Sequence, residues 1–302
     1  MCFEVQSTKL SKLSLIQKHR DPRTWVSFIT ILTILFLVCF APAQASSEKS
    51  LSLSCPAPQE DFSLHIDEVR SYLLETQLPQ RRPSDVEINL PFQINANPDA
   101  VYRGKYLLIH GLNDSPAVWH DIAPELAHRG YDVRGILLPG HGNTPEAQLD
   151  VSYVQWLNMA RDQLSLWRSD GVPTFIGGFS LGGVIATILA VENDDIAGLF
   201  LIAPAYESRM NSLLRWASLV SVFKPWVFGG MIIEDNPAKY NSIPINGAAQ
   251  YYKTTRYLKR LWSNKKLEMP VFMVSTMTIQ WWILTAYAPS LISNSLLKEN
   301  DC

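Results

Sequence analysis

The five residues Gly178-Phe179-Ser180-Leu181-Gly182 constrain this chain more than any others. They lie between an apolar run, Thr174-Phe175-Ile176-Gly177, and a small-residue run, Gly182-Gly183-Val184-Ile185-Ala186. A Gly-x-Ser-x-Gly string alone is common by chance. At the junction of a strand-like and a helix-like run it describes a tight turn. Glycines on both sides let the backbone pass closely while the serine Oγ points outward. Ser180 is therefore the first candidate functional residue.

The surrounding pattern gives this turn a sheet to stand on. Tyr106-Leu107-Leu108-Ile109 is a continuous apolar run, as expected for a strand buried on both faces. The same character returns at Val133 to Leu138, Thr174 to Ile176, Leu199 to Ile202 and Val271 to Val274. Helix-period segments lie between these runs, at Ala117 to His128, Tyr153 to Arg168 and Leu181 to Val191. Strands alternating with helices predict an α/β domain with a doubly wound, mostly parallel sheet. Further upstream, Phe62, Ile66, Val69 and Leu73 recur at helical spacing behind Asp61 or Ser63 as a cap, and Val86-Glu87-Ile88-Asn89-Leu90 alternates like a half-buried strand. Residues 205–262 are rich in aromatic and apolar side chains without strand signals, and are expected to form a helical cap over the strand ends. With 302 residues of which 47% are hydrophobic, the chain can fill the core of one such domain, expected over residues 61–302.

The N-terminus carries Lys9, Lys12, Lys18, Arg20 and Arg23, then an apolar run from Trp25 to Phe40, then Ala41-Pro42-Ala43-Gln44-Ala45. This is the order of a secretory signal peptide, with cleavage expected near Ala45 and export to the periplasm or the exterior. The alternative is an uncleaved anchor over residues 1–45, which would give membrane association through that segment. Residues 46–60 read as a Ser/Pro linker. Removal of the leader leaves Cys55 and Cys302, too few for a disulfide framework although the two could pair. A formal charge of −2 without a basic block excludes an electrostatic case for nucleic acid. The spacing of His110, His120 and His128 matches no metal-ligand pattern, so neither metal nor cofactor is expected.

Two further segments follow strands directly: His110-Gly111-Leu112-Asn113-Asp114-Ser115-Pro116, and Leu138-Pro139-Gly140-His141-Gly142. With the serine turn, in this order, they make residues 100–275 resemble the α/β-hydrolase family, in particular its esterase, monoacylglycerol-lipase-like and serine-aminopeptidase-like branch. The resemblance implies Ser180 as nucleophile and the backbone N–H groups of Leu112 and Leu181 as the oxyanion hole. It also implies that His110 and His141 are structural residues of their turns.

The same resemblance exposes a conflict. The family order is serine, then an acid after the seventh strand, then a histidine after the eighth. All six histidines (19, 65, 110, 120, 128 and 141) precede Ser180. After Val271-Phe272-Met273-Val274-Ser275-Thr276, where an acid is expected, the chain reads Met277-Thr278-Ile279-Gln280-Trp281-Trp282. No triad Asp or His is found. The expectation is a frameshifted or truncated product lacking the last strand and helix, to be checked by reading the other two frames through codon 276. The alternative is a divergent Trp-rich tail, in which Pro289, Gln280, Ser290, Ser293 and Asn294 argue against a bilayer span. Two functional expectations follow: a serine hydrolase of small carboxylic esters or lipids, or a catalytically impaired hydrolase-fold protein. A third reading, a membrane-tethered interaction protein, needs the N-terminal run to stay in place.

Overall fold

The computed structural model describes residues 55–77, 82–208, 211–226, 236–242, 244–263, 265 and 267–275. The expected leader or anchor, the linker up to residue 54, Cys302 and the segment from residue 276 onward lie outside the described residues.

Helix α1 (Phe62–Thr76) begins at Asp61, whose carboxylate accepts from the N–H groups of Ser63 at 2.9 Å and Leu64 at 3.3 Å. Phe62, His65, Val69, Tyr72 and Leu73 form its buried face. Residues 55–60, read as part of a linker, lie against this helix. Cys55 packs on the Val69/Leu73 cluster, and the carbonyl of Ala57 meets Nδ1 of His65 at 3.2 Å.

The strand expected at 86–90 is not formed. Pro83–Glu87 is a short helix, α2, followed by a turn, and the strand comes later, as β1 (Phe92–Ile94). Pro83 supplies a preset helical φ, and the Asp85 carboxylate accepts from the Arg82 N–H at 3.0 Å. Val86 and Leu90, four positions apart, both turn inward while Ile88 is exposed, so a helical turn buries the two that matter. Alternation at 86, 88 and 90 satisfies either period over so short a window.

Then follow β2 (Gly104–Ile109), a 3₁₀ turn at Pro116–Trp119, α3 (Ile122–His128), β3 (Tyr131–Ile136) and α4 (Tyr153–Trp167). Next come β4 (Thr174–Phe179), α5 (Leu181–Glu192) and β5 (Ile196–Ile202). With a second 3₁₀ turn at Pro145–Gln148 between β3 and α4, the short helices α6 (Asn211–Leu214) and α7 (Ala217–Val220), the long α8 (Ile245–Trp262) and β6 (Val271–Val274) complete the described elements. The sheet order is β1-β3-β2-β4-β5-β6; β1 is antiparallel to β3 and all other pairs are parallel.

This order positions the site. The chain runs from β2 outward to β3, then crosses back to lay β4 on the other side of β2. Loops leaving β2 and β4 therefore part at the carboxyl ends of neighbouring strands, the point where open α/β sheets hold ligands. Register places Ile109 beside Gly178, so His110-Gly111-Leu112 and Ser180 leave the sheet side by side.

Helix α5 is buried at every position from Leu181 to Val191, and so can sit only in the core. It packs between the sheet and α4 and α8 with Leu107, Ile109, Ile176, Trp156 and Leu164. Tyr251 and Leu258 of α8 belong to that same cluster, so the last part of the 205–262 interval lines the core with one face. On β3, Arg134 is buried and pairs with no carboxylate among the described residues. Its guanidinium lies 3.9 Å from the ring centroid of Phe62 and 4.1 Å from that of Trp167, and it donates to the amide oxygens of Gln93 and Gln163. Burial lowers its pKa to about 10. The contact fastens α1 to the β3 and α4 layer.

Candidate active site

Ser180 stands between the last residue of β4 and the first of α5 with φ 54° and ψ −114°. That φ is left-handed, but the ψ lies outside the left-handed helical well, so a side chain there is strained. The surrounding structure enforces it. The Ser180 N–H donates to the Ile202 carbonyl at 3.0 Å, and its carbonyl accepts from Gly183 at 3.1 Å and Ala205 at 3.0 Å. A methyl on Gly182 would overlap the carbonyl oxygens of Ile109 and His110, and one on Gly183 would come within 2.8 Å of the Pro204 ring. These glycines let α5 start hard against β2 and the loop after β5. The side chain of Ser180 itself remains partly exposed.

The loop after β2 meets Ser180 directly. A Cβ on Gly111 would lie 3.3 Å from the Ser180 Cβ and 3.2 Å from the Phe179 ring. The N–H groups of Leu112 and Leu181 donate to no acceptor among the described residues. Three side chains hold the two peptides that carry Leu112. Leu138 donates its N–H to His110 Nε2 at 3.0 Å, which leaves the ring proton on Nδ1, and Nδ1–H donates to the Gly111 carbonyl at 2.8 Å. In a trans peptide, fixing the Gly111 carbonyl also fixes the opposed Leu112 N–H. The Leu112 carbonyl is held in turn by His141 Nε2 at 2.5 Å and by Gln148 Nε2 at 2.8 Å.

Both imidazoles are thus committed to backbone. His141 Nδ1 faces the carbonyls of Pro139 at 3.0 Å and Leu138 at 3.2 Å, and its ring centroid lies 4.8 Å from that of His110. Burial drives the pKa of His110 well below its ordinary value, and the neighbouring His141 adds to the effect. Burial also lowers His141, against an opposing pull from the carbonyls around it. Among the described residues no histidine hydrogen-bonds Ser180: His65 turns to Ala57, and His120 packs on Phe92. Asp114 lies behind Gly111 and pairs with Lys239 at 3.3 Å.

Tyr240 closes the site from the other side. It donates its N–H to the Asn113 carbonyl at 2.9 Å and stacks on His141 at 6.3 Å between centroids, and its hydroxyl meets the side-chain oxygen of Asn143 at 3.1 Å. Asn143 in turn donates to the Tyr72 hydroxyl at 3.0 Å, joining α1 to the same network. Gln148, Asn143 and Tyr240 were invisible to spacing rules, because their partners lie 36 to 97 residues away. Among the described residues no cluster of His, Cys, Asp or Glu could hold a metal, and no helix is long and apolar enough to cross a membrane.

Similarity to known proteins covers the region from before β2 to beyond β6. Residues 101–281 match the family described as serine aminopeptidase, S33. A pimeloyl-[acyl-carrier protein] methyl ester esterase of Aeromonas hydrophila is 38% identical over 90 residues, covering 30% of this chain and 33% of that protein. A thermostable monoacylglycerol lipase of Bacillus sp. strain H-257 is 28% identical over 101 residues, covering 33% of this chain and 40% of that protein. The chain matches about a third of the length of its curated relatives. A structure reported for the metagenome-derived lipolytic enzymes LipS and LipT aligns at 18% identity and a TM-score of 0.49, over 61% of this chain and 74% of that one. With the family match extending over most of the chain, from before β2 to beyond β6, this protein belongs to the α/β-hydrolase family, in its serine aminopeptidase S33 group.

Proposed function

We propose that this chain is an esterase- or lipase-type hydrolase acting by acyl transfer through Ser180, on small carboxylic esters or lipids. One observation carries the reading: the strained Ser180 lies against a turn whose Leu112 N–H is held in place yet has no acceptor among the described residues. Such a donor is of use to a charge that develops only during reaction. Ser180 Oγ would add to the ester carbonyl carbon, and the N–H groups of Leu112 and Leu181 would receive the resulting oxyanion. Collapse would expel the alcohol and leave an acyl-serine for water to cleave. The substrate class comes from the esterase and the monoacylglycerol lipase named above.

A second reading is favoured by the commitment of His110 and His141 to backbone groups: a hydrolase fold with impaired catalysis. Loss of the base from a serine triad costs on the order of 10⁶ in kcat, and leaves about 10³–10⁴ over water from the oxyanion hole and binding. Labelling the folded chain with a fluorophosphonate, beside Ser180→Ala, decides between the two. Labelling that vanishes in Ser180→Ala supports an activated serine; no labelling of the folded wild type supports the impaired reading.

A further inference from the structure

The segment 211–224 wears its apolar side chains outward. It is a run of successive helical turns through α6 and α7, tied by bonds such as Arg215 N–H to the Asn211 carbonyl at 3.2 Å and Val220 N–H to that of Trp216 at 3.0 Å. A surface helix ordinarily turns its large apolar residues toward the core. Here the positions facing the protein hold Leu214, Ala217 and Ser221, with Ala217 packed against Ile245 and Ala249 of α8. The outward positions hold Leu213, Trp216, Leu219, Val220, Val222 and Phe223, each between 41% and 77% exposed. Six large apolar side chains gathered within eleven positions form a patch of the kind that marks an interaction surface.

Charge says what covers it. From Ser208 to Ile233 the sequence has no carboxylate, and carries Arg209, Arg215 and Lys224, in a chain whose net charge is −2. Among the described residues of this stretch, Arg215 lies 5.3 Å from the Trp216 ring centroid. An apolar face with tryptophan and phenylalanine, rimmed by cations and free of acids, is the composition of a segment that lies in the interface of a bilayer. A protein partner offers no reason for acids to be absent over the whole stretch; anionic headgroups do.

We infer that residues 213–223 dock this protein on an anionic lipid surface, with Trp216 and Phe223 among the acyl chains and Arg215 and Lys224 at the headgroups. Leu214, on the inner side of the patch, packs against the main core cluster and anchors the segment to the domain. Docking itself is independent of the proposed hydrolysis.

The test is quenching of tryptophan fluorescence in the full-length chain by vesicles of phosphatidylcholine and phosphatidylglycerol brominated along their acyl chains. With nine tryptophans in the chain, the informative quantity is the difference between wild type and Trp216→Phe, which isolates Trp216 whatever else contacts the vesicle. The quenched component is expected to shrink in Trp216→Phe, and Leu219→Ser/Phe223→Ser is expected to weaken vesicle affinity about tenfold or more. Replacing phosphatidylglycerol by phosphatidylcholine should weaken binding further. Identical quenching in wild type and Trp216→Phe overturns the inference. So does a dimer that dissociates on Leu219→Ser/Phe223→Ser, which would assign the patch to a second copy of the chain.

Discussion

Replacing Ser180 by glycine is expected to make the folded chain more stable than replacing it by alanine. Both variants remove Oγ, but alanine keeps the Cβ that is strained at φ 54° and ψ −114°. Such strained non-glycine positions cost about 1–3 kcal/mol. Glycine removes that cost and adds about 0.5–1 kcal/mol of extra chain entropy in the unfolded state. At the middle of both ranges Ser180→Gly is ahead by about 1 kcal/mol, or roughly 2–4 °C in Tm for a domain of this size. The loss of Cβ contacts is small, because the side chain is partly exposed and faces the Cβ-less Gly111. The assay is chemical and thermal denaturation of the two variants side by side. Ala203→Gly supplies an internal control. Its φ is 43°, and its N–H is held by the Val274 carbonyl at 2.7 Å, so relief there should also stabilise while leaving fluorophosphonate labelling at the wild-type level. A Ser180→Gly protein no more stable than Ser180→Ala would refute the idea that the serine turn stores strain.

Gly182→Ala should prevent folding or cost more than about 3 kcal/mol, since the added methyl meets two backbone carbonyls that cannot yield; a soluble variant with unchanged melting would contradict this. Stability should fall as pH drops below about 6.5. His110 and His141 are held neutral by burial with lowered pKa, so the unfolded chain takes up protons that the folded chain refuses, by up to about 1.4 kcal/mol per pH unit for each ring. Urea midpoints that are equal at about pH 7.5 and pH 5.5 would count against that assignment. Arg134→Lys should destabilise by about 1–3 kcal/mol, because an ammonium cannot lie flat between Phe62 and Trp167 while serving both Gln93 and Gln163. Calorimetry showing no loss would mean the planar sandwich carries no weight.

Local order was legible in the residues themselves. The apolar run before Gly178, the serine, and the small residues after it describe one strand, one turn and one helix, and that is what forms at 174–192. The parallel strands at 104–109 and 196–202 announce themselves equally well, because a strand covered on both faces is largely apolar. The strand at 131–136 starts two residues before the run read at 133–138 and carries Asp132 and Arg134, and at 271–274 the alternate residues Phe272 and Val274 are exposed rather than covered. At 86–90 the same reading failed: five residues are too few to separate a period of two from one of 3.6, and Pro83 with Asp85 tipped the balance locally. Only the tertiary structure decided what surrounds Ser180. The sheet order makes the loops after β2 and β4 neighbours. His110, His141 and Gln148 then converge on the two peptides of Leu112, and Tyr240 reaches across 97 residues to Asn143. Periodicity encodes which face of an element is buried. It does not encode which distant carbonyl a buried imidazole will meet, since that pairing exists only once the strands between them have taken their places.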